Sequence, residues 1–253
     1  MNIKDQVVLV TGASRGLGAE IAKAFGREGA RVILNYYQSE EKAKEVVEKI
    51  GSEAIAIQAD VLDRDQVENM FEKAESHFNH PVTTIVNNAL VNFKFDSVNR
   101  KDAKKIDWED YQVQLEGSIK AALHTTQVAY EGMATLQFGR IINIGTNLVQ
   151  DPVVPYHDYN TSKAALIGFT RNMASDLGAN GITVNMVSGG LLRVTDASSP
   201  TPPEVFDLIK EDTLLKQVTT PEELADTVLF FASRWSRVVT GQNLVVDGGQ
   251  VMN

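Results

Sequence analysis

Short β-branched runs alternate with longer segments of helical spacing along almost the whole of this 253-residue chain. That alternation implies βαβ units and a parallel sheet covered on both faces. The runs are Gln6–Val10, Arg31–Asn35, Ala54–Gln58, Thr84–Asn87, Arg140–Ile144, Thr183–Val187 and Leu244–Val246. Most are near-continuously apolar, as a strand buried on both faces must be. The spacing predicts helices over Gly16–Glu28, Glu40–Ile50, Asp63–Phe78, Asp110–Leu136, His157–Leu177 and Pro221–Ala232. No internal repeat, low-complexity tract or long linker divides the chain, so residues 1–253 read as one domain.

Two stretches break the rhythm. Residues 90–107 are polar and carry several lysines. Residues 188–203 are rich in Gly and Pro and too long for a plain connector. Loops of that length inside a compact domain are usually functional. Both follow strands, so both lie at the carboxyl edge of the sheet, where open α/β folds bind ligands. Residues 188–215 read as a substrate lid.

Composition removes several classes of function. The net charge of −9, from 24 basic and 33 acidic residues, disfavours nucleic-acid and membrane-surface partners. With no cysteine there is no disulfide, thiolate zinc site or cysteine nucleophile. No His, Asp or Glu cluster has metal-ligand spacing, so no metal is expected. There is no apolar run of about 18 residues, and Met1–Gln6 lacks the apolar core of a secretory signal. The expectation is a cytoplasmic protein. Ser14 and Ser188 lack the strained elbow of a serine hydrolase.

The first strand runs into Thr11-Gly12-Ala13-Ser14-Arg15-Gly16-Leu17-Gly18, and a helix follows directly. Gly12 allows a tight turn, Gly16 lets the backbone approach a pyrophosphate, and Gly18 lets the helix pack on the strand. The helix start offers free N–H groups and a positive dipole end to phosphates. Plain strand–turn–helix corners also collect glycines, but the position after a first strand favours the phosphate site.

Further motifs follow in order. Asp60-Val61 ends the third strand and Asn87-Asn88-Ala89 the fourth. Tyr159 and Lys163 form Y-x-x-x-K, and Thr240-Gly241-Gln242 precedes Val246-Asp247-Gly248-Gly249. Together with the glycine turn they make the chain resemble the short-chain dehydrogenases/reductases over essentially its whole length. Its overall likeness is to the 3-oxoacyl-[acyl-carrier-protein] reductase branch. The resemblance implies a Rossmann-type doubly wound domain with a seven-stranded parallel sheet in the order 3-2-1-4-5-6-7. It also implies a nicotinamide cofactor held by Gly12, Ser14, Arg15, Gly16, Leu17, Gly18, Asn35, Tyr36, Asp60, Val61, Asn88, Ala89, Tyr159, Lys163 and Leu192. NAD-preferring members end the second strand with an acidic residue. Asn35 stands there instead and does not repel a 2′-phosphate, while Arg15 can pair with one. NADP(H) is therefore expected over NAD(H).

Tyr159 and Lys163 lie one turn apart on a helix face. A nearby ammonium lowers a phenol from its usual value near 10 and yields an acid/base usable near neutral pH. The family has a serine thirteen residues before this tyrosine; here it is Thr146, which keeps the hydroxyl and adds a methyl. The family's catalytic asparagine has no match. Gapless alignment back from Thr146 puts Ser118 there, and alignment forward from Trp108 puts Gln114 there. Ser118 is preferred because its gapless stretch is longer. Leu90 replaces the glycine of N-N-A-G, and its side chain is expected to intrude near the nicotinamide or to bend the backbone.

The implied reaction is hydride transfer between the nicotinamide and a ketone or secondary alcohol, with Tyr159 as general acid/base. The lid's Leu191, Leu192, Val205, Phe206 and Leu208 suit small or medium, partly apolar ketones. A carrier-linked 3-oxoacyl substrate is the runner-up. An acidic carrier protein needs a basic dock, and the helix ends Met133–Phe138 and Asp176–Asn180 hold no Lys or Arg. The departures at positions 90, 118 and 146 also keep open a catalytically weak nucleotide-binding sensor or scaffold. The resemblance also implies a homotetramer, with a dimer next: Thr240–Val251 is similar to the family's C-terminal interface strand, and Phe169, Phe230 and Phe231 offer apolar contacts. His157 and His124 read as helix residues without a catalytic role, and Lys101, Lys104 and Lys105 as a solvated face.

Overall fold

The structure is a computed structural model that describes residues 1–51, 53–193, 195, 198–199 and 201–252. Its strands are β1 (Val7–Val10), β2 (Arg31–Tyr36), β3 (Ala54–Gln58), β4 (Thr84–Asn87), β5 (Gly139–Thr146), β6 (Ile182–Gly189) and β7 (Asn243–Val246). Its α-helices are α1 (Gly16–Arg27), α2 (Glu40–Ile50), α3 (Arg64–Phe78), α4 (Trp108–Leu115), α5 (Ala121–Leu136), α6 (His157–Leu177), α7 (Pro203–Asp212) and α8 (Pro221–Ala232). The strands form one sheet in the order β3-β2-β1-β4-β5-β6-β7, and every pairing is parallel. Fold class and strand order are those the sequence implied.

Two apolar layers cover the sheet. One joins Phe25 of α1, Val46 of α2 and Phe231 of α8 to Val8, Val10 and Leu34. The other joins Phe71 of α3, Met133 of α5 and Leu177 of α6 to Leu9, Ile33 and Ile141. Val8 and Val10 face one layer while Val7 and Leu9 face the other. This is the alternation of side chains along a strand.

Three local differences from the sequence reading matter for function. β5 extends to Thr146, which pairs with Gly189 at the end of β6. The Thr146 hydroxyl therefore sits on the last residue of a central strand. The single helix expected over 110–136 is two helices joined by a π-helical turn, Glu116–Lys120. There the N–H of Ala121 reaches back five residues to the Glu116 carbonyl. A π turn inserted in an α-helix commonly marks a functional site. The third difference is α7, inside the segment read as a lid. Pro203 opens it, where a missing N–H costs nothing. No residue of α7 is fully buried. Val194, Asp196, Ala197 and Pro200 of the same segment lie outside the described residues.

Candidate active site

The phosphate end is fixed by side chains that bond backbone. The Thr11 hydroxyl oxygen accepts from the N–H groups of Asn88 at 2.9 Å and Ala89 at 3.0 Å. Asn88 Nδ2 donates to the carbonyls of Thr11 at 2.9 Å and Gly12 at 3.3 Å. These bonds fasten the end of β4 to the glycine turn. Gly12 has φ +63°, and a Cβ there would lie 2.9 Å from Ala89 Cα. A Cβ on Gly18 would lie 2.4 Å from the Gly12 oxygen and 2.5 Å from Asn88 Nδ2. Only glycine fits either position. Gly16 also has a left-handed φ, +55°, with no atom closer than Thr195 Cβ at 3.8 Å. Ser14 and Leu17 are half-buried, and Arg15 is exposed at the start of α1. The first turn of α1 holds no acidic side chain, so its N–H groups and dipole are not opposed locally. This cradle fits a pyrophosphate.

Asn35 departs from its expected place. Its Oδ1 accepts from the Gly12 N–H at 3.2 Å, and its Nδ2 donates to the Ala59 carbonyl at 3.0 Å. It is buried beneath the turn, where it satisfies a backbone donor that would otherwise be orphaned. β2 runs one residue further, so the strand end is Tyr36, followed by exposed Tyr37. Nearby, Asp60 Oδ1 accepts from the Leu62 N–H at 2.9 Å, and the Val61 carbonyl bonds His124 Nδ1 at 3.1 Å. His124 thus supports the loop of Asp60 and Val61. Leu192 is half-buried against the core layer that contains α1.

The side chains expected to react converge. Thr146, Tyr159 and Lys163 are all buried, as is Ser118. The Thr146 hydroxyl is close enough to the Tyr159 phenol to draw its pKa down, and it accepts from the Leu148 N–H at 3.2 Å, which fixes its rotamer. Lys163 Nζ donates to the Ile144 carbonyl at 2.8 Å. Ser118 Oγ lies 3.1 Å from Ser162 Oγ, which donates to the Tyr159 carbonyl at 2.8 Å. Ser118 and Lys163 line one cavity of about 10 Å³, together with Thr11, Asn87 and Leu166. That is room for one water molecule. Gln114 lies elsewhere: its Nε2 donates to the Val91 carbonyl at 3.0 Å. Of the two candidates for the missing asparagine, only Ser118 faces Lys163.

The electrostatics differ from the sequence expectation. Burial pushes the Tyr159 phenol well above its usual value, and the Thr146 hydroxyl only partly offsets this. Lys163 does not lower the phenol here. Its Nζ is committed to a carbonyl and stands 5.8 Å from the ring centroid. Burial pushes Lys163 itself down to about 8. Desolvation, which disfavours charge of either sign, is the largest cause of both shifts.

The sequence reading missed the aromatic face of this site. Phe93 stacks on Tyr159, with centroids 4.8 Å apart and planes at 22°. Phe95 meets Tyr159 edge-on at 5.2 Å. The signal was present as alternation, Val91-Asn92-Phe93-Lys94-Phe95-Asp96, within a stretch that reads as merely polar. Leu90 neither plugs the site nor twists the backbone: it is exposed, and the positive φ falls on Asn92. Lys101 is not simply solvated, since it bridges Asp107 at 3.1 Å and Asp110 at 2.6 Å.

Comparisons with known proteins agree with this geometry. A family model described as enoyl-(acyl carrier protein) reductase matches residues 12–250. The 3-oxoacyl-[acyl-carrier-protein] reductase of Staphylococcus epidermidis is 36% identical over 248 residues, spanning 96% of this chain and 98% of its own. A doubly substituted variant of a Serratia marcescens short-chain dehydrogenase/reductase superposes with a TM-score of 0.86 at 30% identity, covering 99% of both chains. A blue fluorescent protein from a metagenomic library, solved with NADPH, gives 0.85 at 32% identity over 100% of both. Sheet order, glycine turn and Tyr–Lys helix define a nicotinamide-dependent oxidoreductase of Rossmann type. The chain belongs to the short-chain dehydrogenase/reductase family.

Proposed function

We propose that this chain reduces small or medium, partly apolar ketones to secondary alcohols with NADPH, and that Tyr159 delivers the proton. One observation carries the reading: Thr146, Tyr159 and Lys163 are buried together at the carboxyl edge of the sheet, with Lys163 Nζ 5.8 Å from the Tyr159 ring centroid. The start of α1 and the glycine turn would hold the pyrophosphate. Arg15 would answer the 2′-phosphate, with Tyr36, Asp60 and Val61 on the adenosine side and Asn88, Ala89 and Leu192 on the nicotinamide side. When bound there, NADPH supplies the hydride.

The remaining work falls to the chain's own side chains. Thr146 and Tyr159 hold the carbonyl oxygen by two hydrogen bonds. The raised phenol remains protonated at neutral pH, so Tyr159 starts as the donor and passes its proton to the forming alkoxide. Lys163 and Ser118 border the cavity through which that proton is replaced. Residues 188–215 act as the lid, and half-buried Val205 and Phe206 of α7 supply apolar contact.

A second reading is a carrier-linked 3-oxoacyl substrate. The names of the matched family model and of the Staphylococcus epidermidis relative favour it. Against it stand the carboxyl ends of α5 and α6, which hold no Lys or Arg, and the pairing of Lys101 with two aspartates. NADPH oxidation with acetoacetyl-carrier protein, measured beside free ketones and β-keto esters, decides between them. Faster turnover of the free ketones is expected; strong preference for the carrier-linked substrate reverses the order. A sensor or scaffold would bind NADPH and oxidise it with none of them.

Assembly as a homotetramer, with a dimer next, fits an edge strand β7 that leaves Leu244 exposed, and exposed Trp235 and Val238 just before it in the chain. Phe231, expected at a contact, belongs instead to the core. Light scattering at micromolar concentration should give four chain masses, and one chain mass would refute assembly. No helix among the described residues is long and apolar enough to cross a membrane, and a cytoplasmic enzyme is the setting this reading implies.

A further inference from the structure

The segment after β4 is an extended strap whose side chains alternate. Val91, Phe93 and Phe95 are half-buried, while Asn92, Lys94 and Asp96 are exposed. Two contacts hold its start. Gln114 bonds the Val91 carbonyl, and Gly117 in the π turn leaves room for the Val91 side chain, which a Cβ would approach to 3.0 Å. Beyond Asn92 the strap lies over the reacting phenol. Besides their contacts with Tyr159, Phe93 and Phe95 meet each other edge-on at 5.0 Å, and both meet Tyr156 edge-on, at 5.4 and 5.7 Å. Phe93 and Phe95 thus each contact both tyrosine rings. The strap's charged side chains, Lys94 and Asp96, are on its outer face.

We infer that Phe93 and Phe95 are specificity-determining residues that make aryl ketones the preferred substrates. The inference rests on the carbonyl-reductase reading above. A ketone whose oxygen bonds Thr146 and Tyr159 must place a substituent among these rings. Aromatic rings favour offset-stacked and edge-to-face partners at the 4.5–7 Å spacings already present here, roughly doubling to tenfold-strengthening a contact beyond its buried area. A flat aryl group replaces one ring of the cluster and keeps that geometry. A saturated ring fills the same space and loses it. Phe93 and Phe95 belong to neither main core layer, so they can yield to a substrate without unpacking the domain.

The test compares acetophenone with cyclohexyl methyl ketone, which share a carbon skeleton, using kcat/KM with NADPH. The native enzyme should favour acetophenone. Phe93→Leu and Phe95→Leu should each lower that ratio by about fivefold, whereas Phe230→Leu, a ring against the opposite core layer, should leave it unchanged. Calorimetry of the NADP⁺-loaded enzyme should show tighter binding of 1-phenylethanol than of 1-cyclohexylethanol, a readout that needs no turnover. An unchanged ratio in both strap variants, or no aryl preference in the native enzyme, overturns the inference. If other carbonyls are reduced but neither ketone is, the reductase reading stands and this inference falls. If no carbonyl is reduced, the reductase reading falls, and equal affinity for the two alcohols then removes the aryl site as well.

Discussion

The two ends of the site are held by different forces. At the phosphate end, Thr11, Asn35 and Asn88 bond backbone groups of the glycine turn, and Gly12 and Gly18 sit where a methyl group would strike backbone. At the substrate end, Phe93 and Phe95 are placed by ring contacts on a strap that is half-buried. Directional bonds to buried backbone tolerate almost no change, because a lost partner leaves a desolvated donor or acceptor. A lost ring contact leaves no unpaired donor or acceptor behind, so the fold tolerates substitution of similar volume there. One fold can therefore keep its cofactor cradle while its substrate face changes.

Gly18→Ala should break the rigid end most severely. The new methyl meets the Gly12 oxygen and Asn88 Nδ2, neither of which can retreat without loosening the turn. Stability should fall by about 3 kcal/mol or more, and calorimetry should show NADPH affinity lost by at least about a hundredfold. Intact NADPH binding in that variant would contradict the cradle.

Lys163 lies between the two ends, and its burial makes a pH-dependent prediction. Its folded value, near 8, is below its ordinary 10.5. Between those pH values the unfolded chain keeps a proton that the folded chain has released, so stability should rise with pH across that window. The rise should reach up to about 3 kcal/mol, followed above pH 10 by a fall as the raised Tyr159 phenol holds a proton that the unfolded chain loses. Urea unfolding from pH 7 to pH 10 measures this. Lys163→Met should flatten the rise, and an unchanged slope in that variant would show that another group carries it.

Asn35→Asp sharpens the comparison from the cofactor side. If Asn35 faced the ribose, this change would shift preference towards NADH at little cost in stability. The structure places it under the turn, so the Ala59 carbonyl loses its donor and a carboxylate is buried. A loss of about 2 kcal/mol is expected, with both cofactors bound more weakly. The smallest effect belongs to the strap: Phe93→Leu should cost about 1 kcal/mol or less in thermal unfolding, since Phe93 is only half-buried.

What the sequence disclosed follows the same division. The rigid end was readable because glycine and asparagine at those positions answer local backbone needs that show as fixed spacings. Strand order came with the family resemblance: the apolar runs imply buried parallel strands but not their sequence across the sheet. Asn35 was misplaced because a strand's last residue and the direction of its side chain are not fixed by spacing. The strap went unread because its apolar residues are separated by polar ones, and Phe93 and Phe95 find their ring partners at Tyr156 and Tyr159, more than sixty residues away. The direction of the Tyr159 shift was missed because desolvation depends on those same distant rings.

The central claim is that the Thr146–Tyr159 pair performs proton transfer to a carbonyl. Tyr159→Phe keeps the ring and its stack on Phe93 and removes only the hydroxyl. Steady-state NADPH oxidation with an accepted ketone should fall by at least about a thousandfold in this variant, while NADPH affinity measured by calorimetry stays within about threefold of the native value. Native turnover in Tyr159→Phe would contradict the account.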